Sequence, residues 1–476
     1  MERITLELLQ KNLKYPGKFS IQNDSLKDVF FDAQIYLGEE NTFEMEISYS
    51  SPVIETVELT NYIEHTFQFY DIQGMLFIGN KKHEVSLLRC SLNKTNWCES
   101  FDSKDQRKNF SNHYVKIHIG AYILDAKIDS TSHLSKANFK FSALSMWADM
   151  LNGDVLNNNL TIPYKKEWKT TADTGDELVI KNYLEENKRN TQTSYIQTAE
   201  LDIVFAKIKT FEEYLEYGRI YNDFFVLMTG RKSDIESFAF TLQDTNREYK
   251  VLVNYRTCHP KFSEQSYFHF EFLTQNLYSL KHWFSYYKNT NLAYALFFDT
   301  IHFKERYMTD MLLDAYLRSF EGMITKFYFE NEYFISGNKN KQIVKSIKES
   351  ITSQIDGILE QYSLEKYKIE NYLDKYKKTV LEAFTHSYEL SFRIRINLFF
   401  ELHKNSFEDD FKNYKKDEIV QQMIQFRNAY AHADDSKLYI ENIFTLIRFI
   451  KKMILVHLYS DILQITTYEI DLAKIL

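Results

Sequence analysis

Glycine and proline are scarce in this sequence of 476 residues, with 12 and 4 occurrences against averages of about 7% and 5%. Turns must therefore be built from Asn, Asp, Ser and Lys, and the scarcity by itself carries no function. Cysteine is nearly absent too. Cys90, Cys98 and Cys258 make no even set and no CxxC pair, which excludes a disulfide scaffold and a thiolate zinc site and fits a reducing cytoplasm. The opening MERITLELLQKNLK lacks an apolar signal core. The most apolar late stretch, residues 443–458, is broken by Arg448, Lys451 and Lys452, so no membrane span or targeting segment is expected. Excess positive charge is missing as well. The formal net charge is −8, with about seven of the excess negatives in residues 1–300, which argues against a bulk electrostatic nucleic-acid binder. A local cleft that holds RNA stays open, since phosphate contacts need only a few placed cations.

What is present is a globular, aromatic-rich chain with 34 Tyr, 38 Phe and 4 Trp, long enough for two or three domains. Apolar residues alternate at Phe43, Met45, Ile47 and Tyr49, at Val85 and Leu87, at Val115, Ile117 and Ile119, and at Phe139 and Phe141. Period two means strands with one buried face. Residues 145–198 are polar, read as loop or helix, and mark a subdivision. Alternation resumes over 199–209. A helix then carries Phe211, Leu215, Ile220, Phe224, Phe225 and Met228 and stops at Gly230, a C-cap. Strands are expected at 235–242, 249–255 and 267–273.

Beyond about residue 300 the period becomes 3.6. Leu313, Leu317, Phe320, Ile324 and Phe327 form one helical stripe that ends near the SGNKNK turn. Further helices are expected over 342–361, 364–404, 416–431 and 437–463, the last a buried central helix. The expected fold class is thus α+β and multi-domain, with a β-rich N-terminal domain over 1–300 and an all-α helical bundle over 301–476.

No GxxxxGK[ST], HExxH or GxSxG occurs, and His65, His83, His113, His118, His133 and His386 lack metal-ligand spacing. No cofactor and no metal are expected. The run YKIENYLDKYKK reads as a solvated helix face. One constellation remains, in QFRNAYAHADD: Arg427, the polar Asn428, the small Ala429 and Ala431 around Tyr430, and His432. It closes an amphipathic helix carrying Ile419, Val420, Met423 and Ile424, and a long apolar helix follows. A looser copy, Arg107 and His113, lies in a polar stretch between strands and is set aside on that context. Tyr430 reads as core, and Asp434 and Asp435 as turn or N-cap residues.

An arginine, four residues and a histidine at the end of such a helix resemble the HEPN ribonuclease signature. The segments LLDAYLRSFEGMITKFYFE and SFRIRINLFFEL resemble helices of the ApeA branch of that superfamily, associated with anti-phage defence. The alternating strands followed by FEEYLEYGRIYNDFFVLMTGRKSDI look like the N-terminal domain those proteins carry. The resemblance implies metal-independent transesterification, in which the ribose 2′-OH attacks the adjacent phosphorus. Histidine, with a pKa of about 6.5, suits the proton transfers, and arginine the anionic phosphorane. Arg427 and His432 would be catalytic. Asn428 would touch the phosphate or ribose, or brace the helix, and Glu321 would orient Arg427 or stand as an exposed carboxylate.

On an ideal helix five residues turn about 500°, which leaves Arg427 and His432 roughly 140° apart and about 7.5 Å along the axis. The resemblance implies that a homodimer formed through the helical domain resolves this by facing both motifs into one cleft. Implied partners are RNA, with structured RNA such as tRNA as one candidate, and a phage-derived trigger. The N-terminal domain would act as sensor or brake in abortive infection. A second reading makes the helical domain a non-catalytic dimerisation or nucleotide-binding module beside a ligand-binding, even lectin-like, β-rich domain.

Overall fold

In the computed structural model the chain divides into two compact units, Met1–Tyr286 and Tyr287–Lys474. The structure describes residues 13–465 apart from 23–29, 38–42, 50–69, 97–98, 102–107, 111–112, 120, 130, 150–164, 190–191, 231, 244–246, 254–267, 269, 290, 304–305, 331–336, 362–377, 379, 381–390 and 432–442.

The N-terminal unit contains β1 (Lys14–Ile21), β2 (Phe31–Leu37), β3 (Phe43–Tyr49), β4 (Tyr70–Ile78), β5 (Lys81–Asn96), β6 (Glu99–Phe101), β7 (Lys108–Phe110), β8 (His113–His118), β9 (Ala121–Leu124) and β10 (Leu134–Phe141). Next come α1 (Ser142–Asp149), β11 (Lys165–Thr171), β12 (Glu177–Arg189), β13 (Gln192–Lys209), α2 (Phe211–Thr229), β14 (Ile235–Leu242), β15 (Glu248–Val253), α3 (Phe270–Gln275) and α4 (Leu277–Asn289). Thirteen strands form one antiparallel sheet in the order β11-β12-β13-β10-β14-β15-β9-β5-β4-β1-β2-β3-β8, and β8 also pairs with β5. That last pairing closes β5, β4, β1, β2, β3 and β8 into a ring, while the rest of the sheet stays open.

Alternation explains the ring. In β2, Phe31, Ala33, Ile35 and Leu37 are buried, and Phe43, Met45 and Ile47 of β3 join them in one apolar core with Phe19, Ile72, Leu87 and Ile117. Strand β5 serves both parts of the sheet. Its residues 85–88 pair with β9, whereas Ser91–Asn96 pair with β8. Between them Arg89 takes a left-handed φ of 54°, its N–H held by Asp71 Oδ1 at 3.0 Å, and the β4 register shifts beside it. A bulge of this kind turns a strand from one layer into another.

Helix α2 begins with a reciprocal cap. Glu213 N–H donates to Thr210 Oγ1 at 3.3 Å and Thr210 N–H donates to Glu213 Oε2 at 2.9 Å. It ends at Gly230 with φ 70°, as the sequence suggests, and Gly230 N–H reaches Val226 O at 2.8 Å. Nearly every side chain after Tyr217 is buried. Gly218 lets the helix approach the sheet, since a Cβ there would lie 2.8 Å from the Phe139 ring. Buried Asp176 accepts from Ala206 N–H at 2.8 Å, Thr174 Oγ1 at 2.6 Å and Tyr217 OH at 2.7 Å, which ties the β11–β12 turn to α2.

Two local expectations are corrected here. Within residues 145–198, read as loop or helix, β11, β12 and the start of β13 are strands of the same sheet. Their polar composition hides them because cross-strand pairing, from Glu177↔Val204 to Arg189↔Gln192, shapes them more than apolar alternation does. The stretch 267–273, expected as a strand, enters α3 instead. Phe268 and Phe272 stack at 4.9 Å, and Trp147 Nε1 donates to Phe268 O at 2.7 Å, so tertiary contacts override the FxFxF alternation.

The second unit holds α5 (Asn291–His302), α6 (Thr309–Glu330), α7 (Gly337–Gln361), α8 (Phe392–Leu402), α9 (Lys404–Asn413), α10 (Lys416–Ala431), α11 (Ile443–Val456) and a closing π turn (His457–Ile462). Helix α6 packs against α5, α8, α10 and α11. The SGNKNK segment, expected as a turn, is helical from Gly337 onward. Helix α11 is buried at Leu446, Phe449, Ile450, Met453 and Ile454, as a central helix should be, but its first turn is not, with Phe444 74% exposed. No described helix is long and apolar enough to cross a membrane.

Candidate active site

Helix α10 turns Ile419, Val420, Met423, Phe426 and Ala429 into the core. This spacing of one, three, three and three residues marks a single apolar stripe, and it leaves Arg427 partly exposed and Asn428 exposed. Tyr430, read as core, is half-buried and stacks on buried Phe426 at 5.7 Å. Arg427 lies with its guanidinium carbon 5.7 Å from the Phe392 ring centroid on α8, an arrangement that favours the cation.

Glu321, on α6, joins it. Arg427 Nη2 donates to Glu321 Oε1 at 3.2 Å, and Arg395 Nη2, from α8, donates to the same oxygen at 2.8 Å. Arg395 Nη1 also donates to Thr325 Oγ1, whose hydroxyl donates to Glu321 O at 2.6 Å. Side-chain exposure runs from 13% at Arg395 through 21% at Glu321 to 41% at Arg427. Three helices thus place two guanidiniums on one carboxylate, with the motif arginine as the outermost member. Among these described residues the charges sum to +1, which suits a phosphate-sized anion.

Sequence reasoning named Glu321 and Arg427 and missed Arg395. The available signal was FRIR in α8, where Arg395 interrupts an apolar helix face beside buried Phe392 and Ile396. Asn428 is exposed and is not brought onto the Glu321 cluster. His432, Asp434 and Asp435 lie outside the described residues. Of the looser copy, Arg107 also lies outside them, and His113 opens strand β8 rather than a helix.

A second polar cluster went unread. Asp461 Oδ2 accepts from His457 Nδ1 at 2.7 Å and from His403 Nε2 at 3.2 Å. Elsewhere His83 Nδ1 lies 3.0 Å from Asp125 Oδ1. No group of three or more His, Cys, Asp or Glu among the described residues could hold a metal ion.

Residues 14–287 match the family described as ApeA N-terminal domain 1. The chain belongs to the ApeA family. The match covers the strand-rich unit and stops at residue 287, where the contacts divide the chain. Neither the curated proteins nor the solved structures contain a match. Membership of ApeA associates the chain with anti-phage defence, and the ApeA match does not extend over the helical unit that carries Arg427.

Proposed function

We propose that this ApeA-family chain is a metal-independent endoribonuclease that acts in abortive infection and cleaves RNA, with tRNA as a candidate, at the helical unit. The observation that carries the reading is the pairing of Arg427 with Glu321 at the exposed end of α10. A carboxylate on a neighbouring helix holds the guanidinium in place, and most of its donors are left to meet a ligand.

In the proposed reaction His432 removes the proton from the ribose 2′-OH, the oxygen attacks the adjacent phosphorus, and the P–O5′ bond breaks. The leaving 5′-oxygen takes up a proton, so the products are a 2′,3′-cyclic phosphate and a 5′-OH. Arg427 donates to the equatorial oxygens as charge builds on the phosphorane. The nucleophile is the 2′-OH, which makes RNA the substrate and DNA inert. The N-terminal unit serves as the sensor, and a phage-derived component is the trigger.

The test is to incubate purified protein with total cellular RNA in EDTA, beside the Arg427→Ala/His432→Ala double variant. Cleavage by the wild type alone, with cyclic phosphate ends, is expected. Intact RNA in both samples, even with phage lysate added, would favour a non-catalytic binding module.

A further inference from the structure

Arg395 belongs to no part of the Arg427–His432 motif, yet it makes the shorter of the two bonds to Glu321 Oε1, 2.8 Å against 3.2 Å for Arg427. It also spans a turn of α6 by reaching Thr325. A structural ion pair would need one arginine for one carboxylate. The second guanidinium leaves a net charge of +1 among these described side chains, at a site where Arg395 is only 13% exposed. Excess charge in such surroundings is costly unless an anion arrives. Arg395 Nε is in addition buried without a hydrogen-bond partner, so this side chain is not arranged for stability alone.

We infer that Arg395 is a positioning residue of the proposed RNA-cleaving site and acts on Arg427 through Glu321. This rests on the reading of Arg427 as the residue that stabilises the phosphorane. With Arg395 present, Glu321 Oε1 is shared, and Arg427 keeps net attraction for an anion. Without Arg395, the carboxylate is left to Arg427 alone, and the pair becomes neutral where negative charge must build. Charge develops most in the transition state, so the loss falls on kcat more than on KM.

The experiment measures RNA cleavage by the full chain as wild type, Arg395→Gln, Arg395→Lys, Glu321→Gln and the Glu321→Gln/Arg395→Gln pair, with thermal melting of each. Arg395→Gln is expected to lower kcat roughly ten- to a hundredfold with KM changed by less than about threefold, and Arg395→Lys to recover part of the loss. In the Glu321→Gln background the added Arg395→Gln should cost little, because the route through the carboxylate is already gone. Wild-type kcat in Arg395→Gln, or fully additive losses in the pair, would overturn the inference while leaving the nuclease reading intact. A fall in activity that follows only melting temperature, with no recovery in Arg395→Lys, would assign Arg395 a purely structural role. A wild-type chain that cuts no RNA removes the nuclease reading itself, and this inference with it.

Discussion

Asp461 accepts hydrogen bonds from His457 Nδ1 and His403 Nε2 within the helical unit. Burial alone would push its carboxyl up, but the two histidine bonds pull it down to about 2, from an ordinary value of 3.8. A carboxyl depressed on folding contributes stability that is fully present above 3.8 and is lost as pH falls through about 2. Asp461→Asn is therefore expected to lower stability at pH 7 by about 2 kcal/mol, with the gap to wild type closing below pH 4. Urea unfolding at pH 7 and pH 2 measures this, and an undiminished gap at pH 2 would contradict it. The pair His457 and Asp461 was legible as an i,i+4 couple on an apolar helix. His403 was not, since it comes from a different helix end. The same limit hid Arg395, whose partners Glu321 and Thr325 lie on α6.

Among the elements, the close pairing of β1 with β4 depends on what is missing at two positions. The Phe19 ring lies over Gly17 and Gly74. A Cβ on Gly74 would come 2.5 Å from Phe19 Cδ1 and 2.4 Å from Lys18 O. Side chain and backbone are both in the way, so Gly74→Val must part the strands or displace Phe19 from the ring core. A cost of about 1–3 kcal/mol is expected, read as a lower melting temperature of the N-terminal unit by hydrogen exchange at β1 and β4. Unchanged protection there would show that the strands absorb the side chain.

Elements whose burial follows their own period were readable, such as β3, β10, α2 and α6. Strand β12, the start of β13 and α3 were not, because the first two are shaped by pairing with each other and the last by Phe268 and Trp147. Gly230 marked the end of α2 because its left-handed φ suits a residue without Cβ.

For the whole molecule, the homodimer that the family resemblance implies makes a prediction of its own. If two motifs share one cleft, a mixed dimer of Arg427→Ala and His432→Ala chains retains one arginine and one histidine. Co-expressed chains are expected to recover part of the RNA cleavage that each homodimer has lost. Mixed dimers demonstrated in solution but wholly inactive would place each arginine and histidine in separate sites.

Strands first and helices after is an order written locally along the chain, because burial period is a property that each segment carries alone. Arg427 stood out through its HEPN-like spacing to a histidine in a helical context, and Glu321 through its place at the edge of a helix stripe together with the family resemblance. The folded chain alone reveals that β8 returns to β5 and closes a ring. Only it put Arg395 and Arg427 on one oxygen of Glu321. Both outcomes depend on contacts between segments far apart in the chain, set by packing and pairing register, which no local pattern records.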